Sequence, residues 1–192
     1  MPTAQTHSQD SVILLHNKSW QDFEQMDRLF SEVKRRLSFY QGTIELRMPG
    51  QDHEVFSGII AFLLGLYCLD KGVWFLPTGS FTQKKPPEAA AEADESYCFG
   101  SRKPIPDLAI DIIFTSGSES KLLKYQALGV LEVWFWEDGV FKLYRLSDNG
   151  YQAIQSSLIP GLEDLDIQLL SRCVLIAETD MQTAVNELRK GI

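Results

Sequence analysis

The chain has few cysteines, and none of them are spaced as a pair. Its 192 residues include only Cys68, Cys98 and Cys173, which are far apart and show no CxxC spacing. An odd number of scattered thiols argues against a disulfide framework and against a cysteine-based zinc site, and it favours a reducing compartment. The sequence therefore predicts a cytoplasmic protein that folds without disulfides.

The chain also lacks an apolar run long enough to cross a membrane. The run from Phe56 to Leu69 is shorter than the roughly 18 to 20 residues that a bilayer requires, and it ends at the charged pair Asp70-Lys71. The N-terminal residues Met-Pro-Thr-Ala-Gln lack the basic and apolar regions of a signal peptide. We therefore expect neither a membrane span nor an export signal.

Positive charge is in deficit. The chain has 18 Lys and Arg against 26 Asp and Glu, which gives a net charge of −8 and a pI near 4.9. This is the wrong sign for a protein that binds nucleic acid through its overall field. Any such contact must be local. The candidates for a basic patch are Lys34-Arg35-Arg36, Lys84-Lys85 and Arg102-Lys103, although such groups are usually only solvated faces.

The length of the chain fits one domain with a core large enough to need no covalent staples. We therefore treat residues 1–192 as a single domain. It divides into an N-terminal tail and helix over 1–40, a core over 41–160 and C-terminal helices over 161–192. No internal repeat is visible in this order.

Hydrophobic periodicity predicts the order of helices and strands. Apolar residues at helical spacing predict five helices. Four are expected over 19–40, 119–128, 163–172 and 181–190, and one more begins at a cap provided by Asp52. Alternating or continuous apolar runs predict strands over 42–48, 73–76, 94–99, 107–114, 130–136, 140–146 and 151–154. The segment 84–93 is expected to be an exposed loop that can hold a short helix. These elements together predict an α/β fold.

Asp111 is the most informative residue of the core. It lies within the run Leu108 to Phe114, which is otherwise apolar and is typical of a strand covered on both faces. An unpaired carboxylate there would be costly or would take up a proton. The chain should therefore supply a cation, a hydrogen-bond cluster or a metal ion beside Asp111.

A Mg²⁺ ion needs a second acid, because it is usually held by one or two carboxylates together with waters and phosphate oxygens. Asp107 lies on the same strand face as Asp111, but four residues separate the two by roughly 13 Å, too far to share an ion. Asp94 begins the preceding extended segment. If the two strands pair, its carboxylate meets that of Asp111 at about 5 Å. Asp94 and Asp111 are therefore the predicted ligands of Mg²⁺ or Mn²⁺.

A basic group beside this pair would orient the attacking water and offset charge on the phosphate. Lys121 is the first candidate. It lies in the first turn of the helix after the Asp111 strand, where the helix dipole disfavours a cation, so its position calls for an anionic neighbour. Lys124 is the second candidate.

Four ordered segments resemble a known family: Glu92 to Tyr97, Ile105 to Asp111, Lys121 to Tyr125 and Gly129 to Trp134. They are similar to the Uma-type family of putative restriction endonucleases, within the PD-(D/E)XK nuclease superfamily. The resemblance covers residues from about 40 to 160. It implies a restriction-endonuclease-like mixed β-sheet core flanked by helices, a Mg²⁺-type ion and phosphodiester hydrolysis.

Matched position by position, the resemblance implies that Asp94 is the motif aspartate, Asp111 the second acid and Glu54 the acid on the preceding helix. The lysine expected two residues after Asp111 is replaced by Ile113, and the resemblance implies that Lys121 takes its place. The second acid is Asp where the family usually has Glu. This difference of one methylene can displace the carboxylate by over ~1 Å.

Two functions follow from these observations, with a nuclease that acts on RNA or branched DNA as a weaker third option. The first is a Mg²⁺-dependent endonuclease that hydrolyses DNA with Asp94, Asp111, Lys121 and Glu54, as a homodimer if both strands are cut. The second is a catalytically inactive member that keeps the fold as a binding or assembly module. The acidic pI, the shorter Asp111 and the missing lysine at Ile113 favour the second.

Each candidate residue also has a structural interpretation. Asp111 can be a structural acid that is held by a helix N-terminus or an arginine. Asp94 can be simply an acid in a loop, and Glu54 can be simply an acid in the first turn of a helix. Lys121 can be a solvated lysine, and His53, at the start of a helix, is more often structural than catalytic.

Trp134 and Trp136 alternate with apolar residues in a predicted hairpin. They are expected to serve packing or a dimer face rather than base stacking.

Overall fold

The computed structural model describes residues 11–30, 35–79, 81–114 and 118–192. Its helices are α1 (Trp20–Leu29), α2 (Gln51–Asp70), α3 (Ser118–Leu128), α4 (Ile167–Ala177) and α5 (Met181–Lys190). Its strands are β1 (Ser11–Leu15), β2 (Arg36–Tyr40), β3 (Thr43–Met48), β4 (Phe75–Pro77), β5 (Gln83–Lys85), β6 (Ala89–Ala91), β7 (Glu95–Phe99), β8 (Leu108–Ile113), β9 (Glu132–Glu137), β10 (Val140–Ser147) and β11 (Gly150–Ile154). This content confirms the predicted α/β class with a mixed β-sheet core flanked by helices.

The larger sheet has the strand order β11-β10-β9-β8-β7-β4. Strands β8 and β9 are parallel, and every other neighbouring pair is antiparallel. A parallel pair requires a crossover, which α3 provides between β8 and β9. All six residues of β8 are buried, so the strand is covered on both faces, as its apolar sequence predicts.

The two faces of β8 meet different layers of the fold. Leu108, Ile110 and Ile112 join the core cluster formed with α2, α4 and α5. Ala109 and Ile113 join the cluster formed with α3 and β6. Because side chains alternate along a strand, Asp111 lies on the α3 side, and this places its carboxylate within reach of α3.

The predicted helix over 19–40 is wrong in its second half. Helix α1 ends at Leu29, and residues 36–40 form β2, which makes a hairpin with β3. Gln41 and Gly42 are the two turn residues, and both have positive φ, the backbone of a type I′ hairpin turn. Leu37 and Phe39 lie two residues apart and are both buried, as alternate residues of a strand are. Packing against the rest of the fold therefore favours a strand over a helix in this segment. The signal that was missed is this alternation.

Strand β1 was also missed. Residues 1–17 carry few sequence signals, but Ser11–Leu15 pairs with β3 at the edge of the smaller sheet, whose order is β1-β3-β2-β6-β5. The N-terminal part of the chain therefore contributes two strands to this sheet as well as a helix.

The expected exposed loop over 84–93 is also wrong. It contains part of β5 and all of β6, joined by a tight turn. Ala89 and Ala91 are buried on the face of β6 that packs against α3, and Ala90 is buried on the opposite face, in the cluster that includes Phe23 and Phe39. Their small side chains let β6 approach both neighbours closely, a role that their low hydrophobicity does not reveal in the sequence.

The predicted three-strand meander is confirmed as β9, β10 and β11. Asp138 and Gly139, with positive φ, form the two-residue turn between β9 and β10. Trp134 and Trp136 are almost completely buried in the larger core cluster. Of the two roles expected for these tryptophans, packing is therefore confirmed, while a dimer face elsewhere on this hairpin stays a prediction.

Helix α2 begins after Gly50, which is its cap residue, and not at a cap provided by Asp52, as was predicted. Asp52 instead lies in the first turn, where the helix dipole favours an acid. Among the described residues, α2 alone is long and apolar enough to cross a bilayer by length and composition. Its inner side chains pack in the core against β8, as those of a central helix do. The absence of a membrane span stays a prediction.

Replacing Ala90 by Leu tests the packing of β6. We expect Ala90→Leu to lower the free energy of unfolding by about 1–3 kcal/mol, because a larger side chain in a filled core forces its neighbours apart. Urea unfolding measures the change. Glu88→Leu, in the exposed turn before β6, is the matched control, and we expect it to change stability by less than about 0.5 kcal/mol. Equal, small effects of both changes would contradict a buried β6.

Candidate active site

Asp94 and Asp111 lie side by side on paired strands. Strand β7 is antiparallel to β8 with Glu95 opposite Ile110, so Asp94, one residue before β7, faces Asp111. The backbone N–H of Asp94 donates to Oδ1 of Asp111 at 3.3 Å, and both side chains are buried. The structure thus brings together the two acids that the sequence singled out. Their role as metal ligands stays a prediction.

The carboxylate of Asp94 is held by donors from three elements. Its Oδ2 accepts the N–H of Ile112 at 2.7 Å and lies 3.1 Å from Nε2 of His53, while Nε of Arg36 donates to Oδ1 at 2.6 Å. Burial alone would raise the pKa of Asp94, but the hydrogen bond from His53 and the charges of Lys121 and Arg36 hold that pKa well below its usual range. Asp94 is therefore ionised at neutral pH.

The carboxylate of Asp111 is held mainly by α3. Its Oδ2 accepts a hydrogen bond from the Tyr125 hydroxyl at 3.0 Å and lies 3.1 Å from Nζ of Lys121. Burial, together with the nearby charge of Asp111, raises the pKa of Tyr125 well above its ordinary value, so its hydroxyl remains a donor. Lys121 has the anionic neighbour that its position in the sequence calls for.

Lys124, the second lysine candidate, is bound to a different acid. Its Nζ donates to Oε2 of Glu45 at 2.6 Å and to the hydroxyl of Ser38 at 2.8 Å. Burial would raise the pKa of Glu45, but Lys124, followed by Arg47 and Lys121, lowers it to about 2.

The pKa of Lys124 itself also lies below its ordinary value, in spite of this ion pair. Burial is the largest cause, and the like charges of Lys121 and Arg47 add to it, so together they outweigh the attraction of Glu45. Lys124 therefore shares Glu45 with neighbouring cations rather than pairing with it alone.

Arg36 links the aspartates to two further acids. Besides Asp94, its guanidinium lies 3.6 Å from Glu92 and 3.6 Å from Glu54. Burial would lower the pKa of Arg36, but these three acids, Asp94 first, raise it. Glu54 is one-third exposed, and Arg36 links it to Asp94. Burial of Glu92 raises its pKa in spite of the arginine.

Sequence reasoning missed Glu45 and the place of Arg36 beside Asp94, because both residues belong to the β2–β3 hairpin. Arg36 had been assigned to a helix. Glu45 and Arg47 occupy one face of β3 at a spacing of two residues, which a solvated strand face also produces. The signal that could have revealed this part of the site is a pair of oppositely charged residues on a strand that lies next to a buried strand.

Asp107 lies apart from the paired aspartates, whereas His53 lies beside them. Asp107 is bound by Nζ of Lys103 at 2.6 Å and accepts the N–H of Phe99, and it does not line the cavity of Asp111. It holds the turn between β7 and β8. His53, expected to be structural, is completely buried and lies against Asp94.

The aspartates line a cavity of about 30 Å³. A water needs on the order of 10–15 Å³ of such space, so the cavity holds one or two water-sized molecules. Its charged lining is balanced, with four cations (Arg36, Arg47, Lys121 and Lys124) and four acids (Glu45, Glu92, Asp94 and Asp111). The site is a compact and neutral ionic network rather than an open anionic groove.

The predicted basic patches are largely paired with acids. Arg35 lies 3.0 Å from Asp27, and Lys84 lies 2.7 Å from the same carboxylate. Lys103 is bound to Asp107, while Arg102 is exposed. Lys34 lies outside the described residues. The described parts of these patches therefore leave little free positive charge for a nucleic acid.

The oxygens of the two aspartates can take part in metal binding. A carboxylate oxygen has two lone pairs. The described partners fill both on each Oδ2, whereas Oδ1 of Asp94 and Oδ1 of Asp111 each accept one bond. No group of three or more His, Cys, Asp or Glu among the described residues is arranged to hold a metal. The donor set would fit an ion held by one oxygen of each aspartate and completed by waters or phosphate once the Arg36 guanidinium has moved away from Oδ1 of Asp94.

The Glu45 ion pair predicts a pH effect on stability. Since the pKa of Glu45 is about 2 in the folded chain against 4.5 ordinarily, its stabilising effect is complete above pH 4.5 and is lost as pH falls to about 2. We expect the stability difference between the wild type and Glu45→Gln to shrink by about 3 kcal/mol across that window. Urea unfolding at a series of pH values measures it. A difference independent of pH would show that the pair does not perturb Glu45.

Comparison with known proteins identifies a family. The Uma2 family model, described as "Putative restriction endonuclease", matches residues 20–175, well over half of the chain. No curated protein matches the chain. The match includes Glu54, Asp94, Asp111 and Lys121, and it confirms the family that the sequence motifs indicate. The chain belongs to the Uma2 family of restriction-endonuclease-like proteins, and this supports a nuclease function in general.

Proposed function

We propose that this chain is an endonuclease that hydrolyses phosphodiester bonds of DNA with the help of a Mg²⁺ or Mn²⁺ ion. The observation that carries the proposal is the convergence of Asp94, Asp111 and Lys121 on one small cavity. The description of the family as restriction endonucleases supports DNA as the substrate. The three free, buried cysteines support a reducing compartment, the cytoplasm.

Asp94 and Asp111 would hold the ion through their Oδ1 atoms, the oxygens that keep an acceptor position. A bound divalent ion supplies Lewis-acid chemistry, because it lowers the pKa of a water and offsets charge on a phosphate oxygen. The low pKa of Asp94 keeps that carboxylate ionised and ready to bind a cation. The N–H of Ile112 and the ring of His53 fix its orientation.

Lys121 would act on the reacting groups. Its ammonium lies 3.1 Å from Oδ2 of Asp111, next to the oxygen proposed to bind the ion. A fixed positive charge at this position orients the attacking water and stabilises negative charge that develops on the phosphate. Glu54 would hold a second water, because its carboxylate is one-third exposed and lies 3.6 Å from the Arg36 guanidinium.

The size of the cavity limits where the proposed substrate would bind. A cavity of about 30 Å³ has no room for a phosphodiester, so the scissile phosphate must lie at its mouth. With a net charge of −8, the chain does not attract DNA through its overall field. The affinity for DNA must therefore come from contacts near this mouth.

Nicking of supercoiled plasmid with Mg²⁺ or Mn²⁺ tests the proposal. We expect Asp94→Asn, Asp111→Asn and Lys121→Met each to reduce the cleavage rate by roughly 100-fold or more, because each removes a group at the reacting centre. Circular dichroism checks that the variants are folded.

Asp107→Asn is the matched control for these variants. It changes an acid close to β8 that is bound to Lys103 outside the cavity, so cleavage should persist. Cleavage that survives in Asp94→Asn and Asp111→Asn would place the activity elsewhere and overturn the assignment.

One observation favours a second candidate function, an inactive nuclease fold that serves binding or assembly. Arg36 already places a cation 2.6 Å from Oδ1 of Asp94, the oxygen proposed to bind the ion. Its ion pairs with Glu54 and Glu92, at 3.6 Å each, help to hold it there. If Arg36 never leaves, it replaces the metal and the ionic network only stabilises the fold.

Calorimetry with Mn²⁺ separates the two functions. For an endonuclease, we expect the wild type to bind Mn²⁺, Arg36→Met to bind it at least as tightly because a competing cation is gone, and Asp94→Asn to lose the heat of binding. Thermal unfolding of Arg36→Met confirms that this variant is folded. Absence of binding by both the wild type and a folded Arg36→Met would reject the endonuclease and favour the inactive module.

A further inference from the structure

Strand β1 is an open edge of the smaller sheet. In the order β1-β3-β2-β6-β5 its inner side pairs with β3, and no strand of the described residues pairs with its outer side. Its residues 11–14 are all exposed, and the apolar side chains of Val12, Ile13 and Leu14 are 42%, 46% and 51% exposed. A strand edge of this kind presents unpaired N–H and C=O groups, which another extended strand can bind.

The direction of the backbone groups of β1 follows from the β2–β3 hairpin. Thr43 directly follows the two-residue turn, so its backbone groups bond to β2. Because these bonds alternate along β3, Leu46 directs its backbone groups to the other side, where its partner on β1 is Ile13. The residues on either side of Ile13 must therefore point outward. The N–H and C=O groups of Val12 and Leu14 lie along the open edge.

The other three edges of the two described sheets are protected against such pairing. Strand β5 exposes the pair Lys84-Lys85, and charged side chains on an edge oppose the addition of a strand. Strand β4 has only three residues and ends at Pro77. The exposed residues of β11, Gln152 and Ala153, include no large apolar side chain. Strand β1 contains neither a charged residue nor a proline, so it is the edge that suits an extended partner.

A second copy of β1, antiparallel to the first and centred on Ile13, pairs this edge completely. Val12 of each copy then lies opposite Leu14 of the other. Because both residues direct their backbone groups outward, each of these pairs exchanges both of its hydrogen bonds. This register aligns all five residues of both strands, whereas a shifted register aligns fewer. No like charges meet, because the strand has none.

The side chains of β1 fit the same arrangement. Ile13 lies on the sheet face of Leu46, which packs against the core cluster around Phe23. In the paired register Ile13 meets Ile13 of the second copy and continues that cluster across the two-fold axis. On the opposite face, each Val12 meets a Leu14. The exposed apolar side chains therefore cover one another, as a self-complementary two-fold interface requires.

We propose that the chain forms a two-fold symmetric dimer by antiparallel pairing of β1 with β1 of a second copy. The two five-stranded sheets then become one continuous sheet. Pairing uses the open edge of both copies, so assembly stops at the dimer. This inference rests on β1 and does not depend on nuclease activity. It gives the predicted homodimer an interface in the smaller sheet, apart from the tryptophan hairpin of the larger sheet.

The symmetry of this dimer has a consequence for the candidate active site. The two-fold axis of an antiparallel strand pair is perpendicular to the sheet, so both copies present the same face on the same side. Glu45 and Arg47 line the cavity and are the partners on β3 of Leu14 and Val12. The two cavities therefore lie on one side of the shared sheet. If the chain cuts DNA, this arrangement would supply the second site needed for the second strand.

A disulfide trap tests the pairing. Ile13→Cys places two thiols at the two-fold axis, in a non-hydrogen-bonded pair whose Cα atoms lie about 4.5 Å apart, within the range of a disulfide. The native cysteines are all buried and do not compete. We expect mild oxidation to give a covalent dimer on a non-reducing gel. Val140→Cys, at a 47% exposed position on the interior strand β10, is the matched control and should remain monomeric on that gel.

A mixture of two cysteine variants tests the register. Val12 of one copy lies opposite Leu14 of the other at about 5.5 Å between Cα atoms, whereas the two copies of Val12 lie roughly 8 Å apart. Cysteines more than about 7 Å apart between Cα atoms do not bridge without backbone movement. We expect Val12→Cys mixed with Leu14→Cys to give a covalent dimer, and either variant alone to give little.

Sedimentation of the untagged chain tests the role of the backbone edge. We expect the wild type to sediment at twice 21.8 kDa and Leu14→Pro to weaken association by roughly tenfold or more. Proline removes the outward N–H of residue 14 and no hydrogen bond to β3, so the fold should persist. Leu14→Val keeps that N–H together with an apolar side chain, and it should sediment as the wild type does. Circular dichroism should be the same for all three proteins.

Three outcomes would overturn the proposal. A wild type that sediments as a monomer at the highest attainable concentration would show that a second copy does not bind this edge. Equal dimerisation of Leu14→Pro and Leu14→Val, without a covalent dimer of Ile13→Cys, would place the interface elsewhere. A covalent dimer formed as readily by Val12→Cys alone as by the mixture would reject the register centred on Ile13.

Discussion

The site depends on the pairing of two buried aspartates across β7 and β8. Burial in this part of the core makes a charged carboxylate costly unless donors and cations surround it. The N–H groups of Asp94 and Ile112, the Tyr125 hydroxyl and the charges of Arg36 and Lys121 offset that cost. These donors come from β2, β8 and α3 and from the start of β7. The smaller sheet, the crossover helix and the central strand are therefore held together at this one point.

The same network explains why the site can serve either catalysis or stability. The cavity is lined by as many cations as acids, and such a balanced buried network stabilises a fold only while every member is paired. Catalysis by the proposed mechanism requires one of these pairs, Arg36 with Asp94, to open when an ion binds. Lys121 needs no such change, since it already lies beside Asp111. The position of Arg36 is thus the feature that decides between the two functions.

Sequence patterns predicted the central features of the fold. The unbroken apolar run around Asp111 identified β8, the spacing of extended segments placed Asp94 opposite it, and the crossover helix placed Lys121 beside both. The N-terminal half was harder. The β2–β3 hairpin and the alanine strand β6 are decided by packing between distant segments rather than by local propensity. Glu45 and the place of Arg36 beside Asp94 were missed for that reason, because the partners of both residues lie far away along the chain.

A crystal grown with Mn²⁺ tests the central claim most directly, because anomalous scattering locates the ion independently of activity. The account predicts one manganese peak bound by Oδ1 of Asp94 and Oδ1 of Asp111, with the Arg36 guanidinium displaced from Asp94 and Lys121 still beside Asp111. A crystal without a peak at this site, in which Arg36 keeps its bond to Asp94 at saturating Mn²⁺, would contradict it.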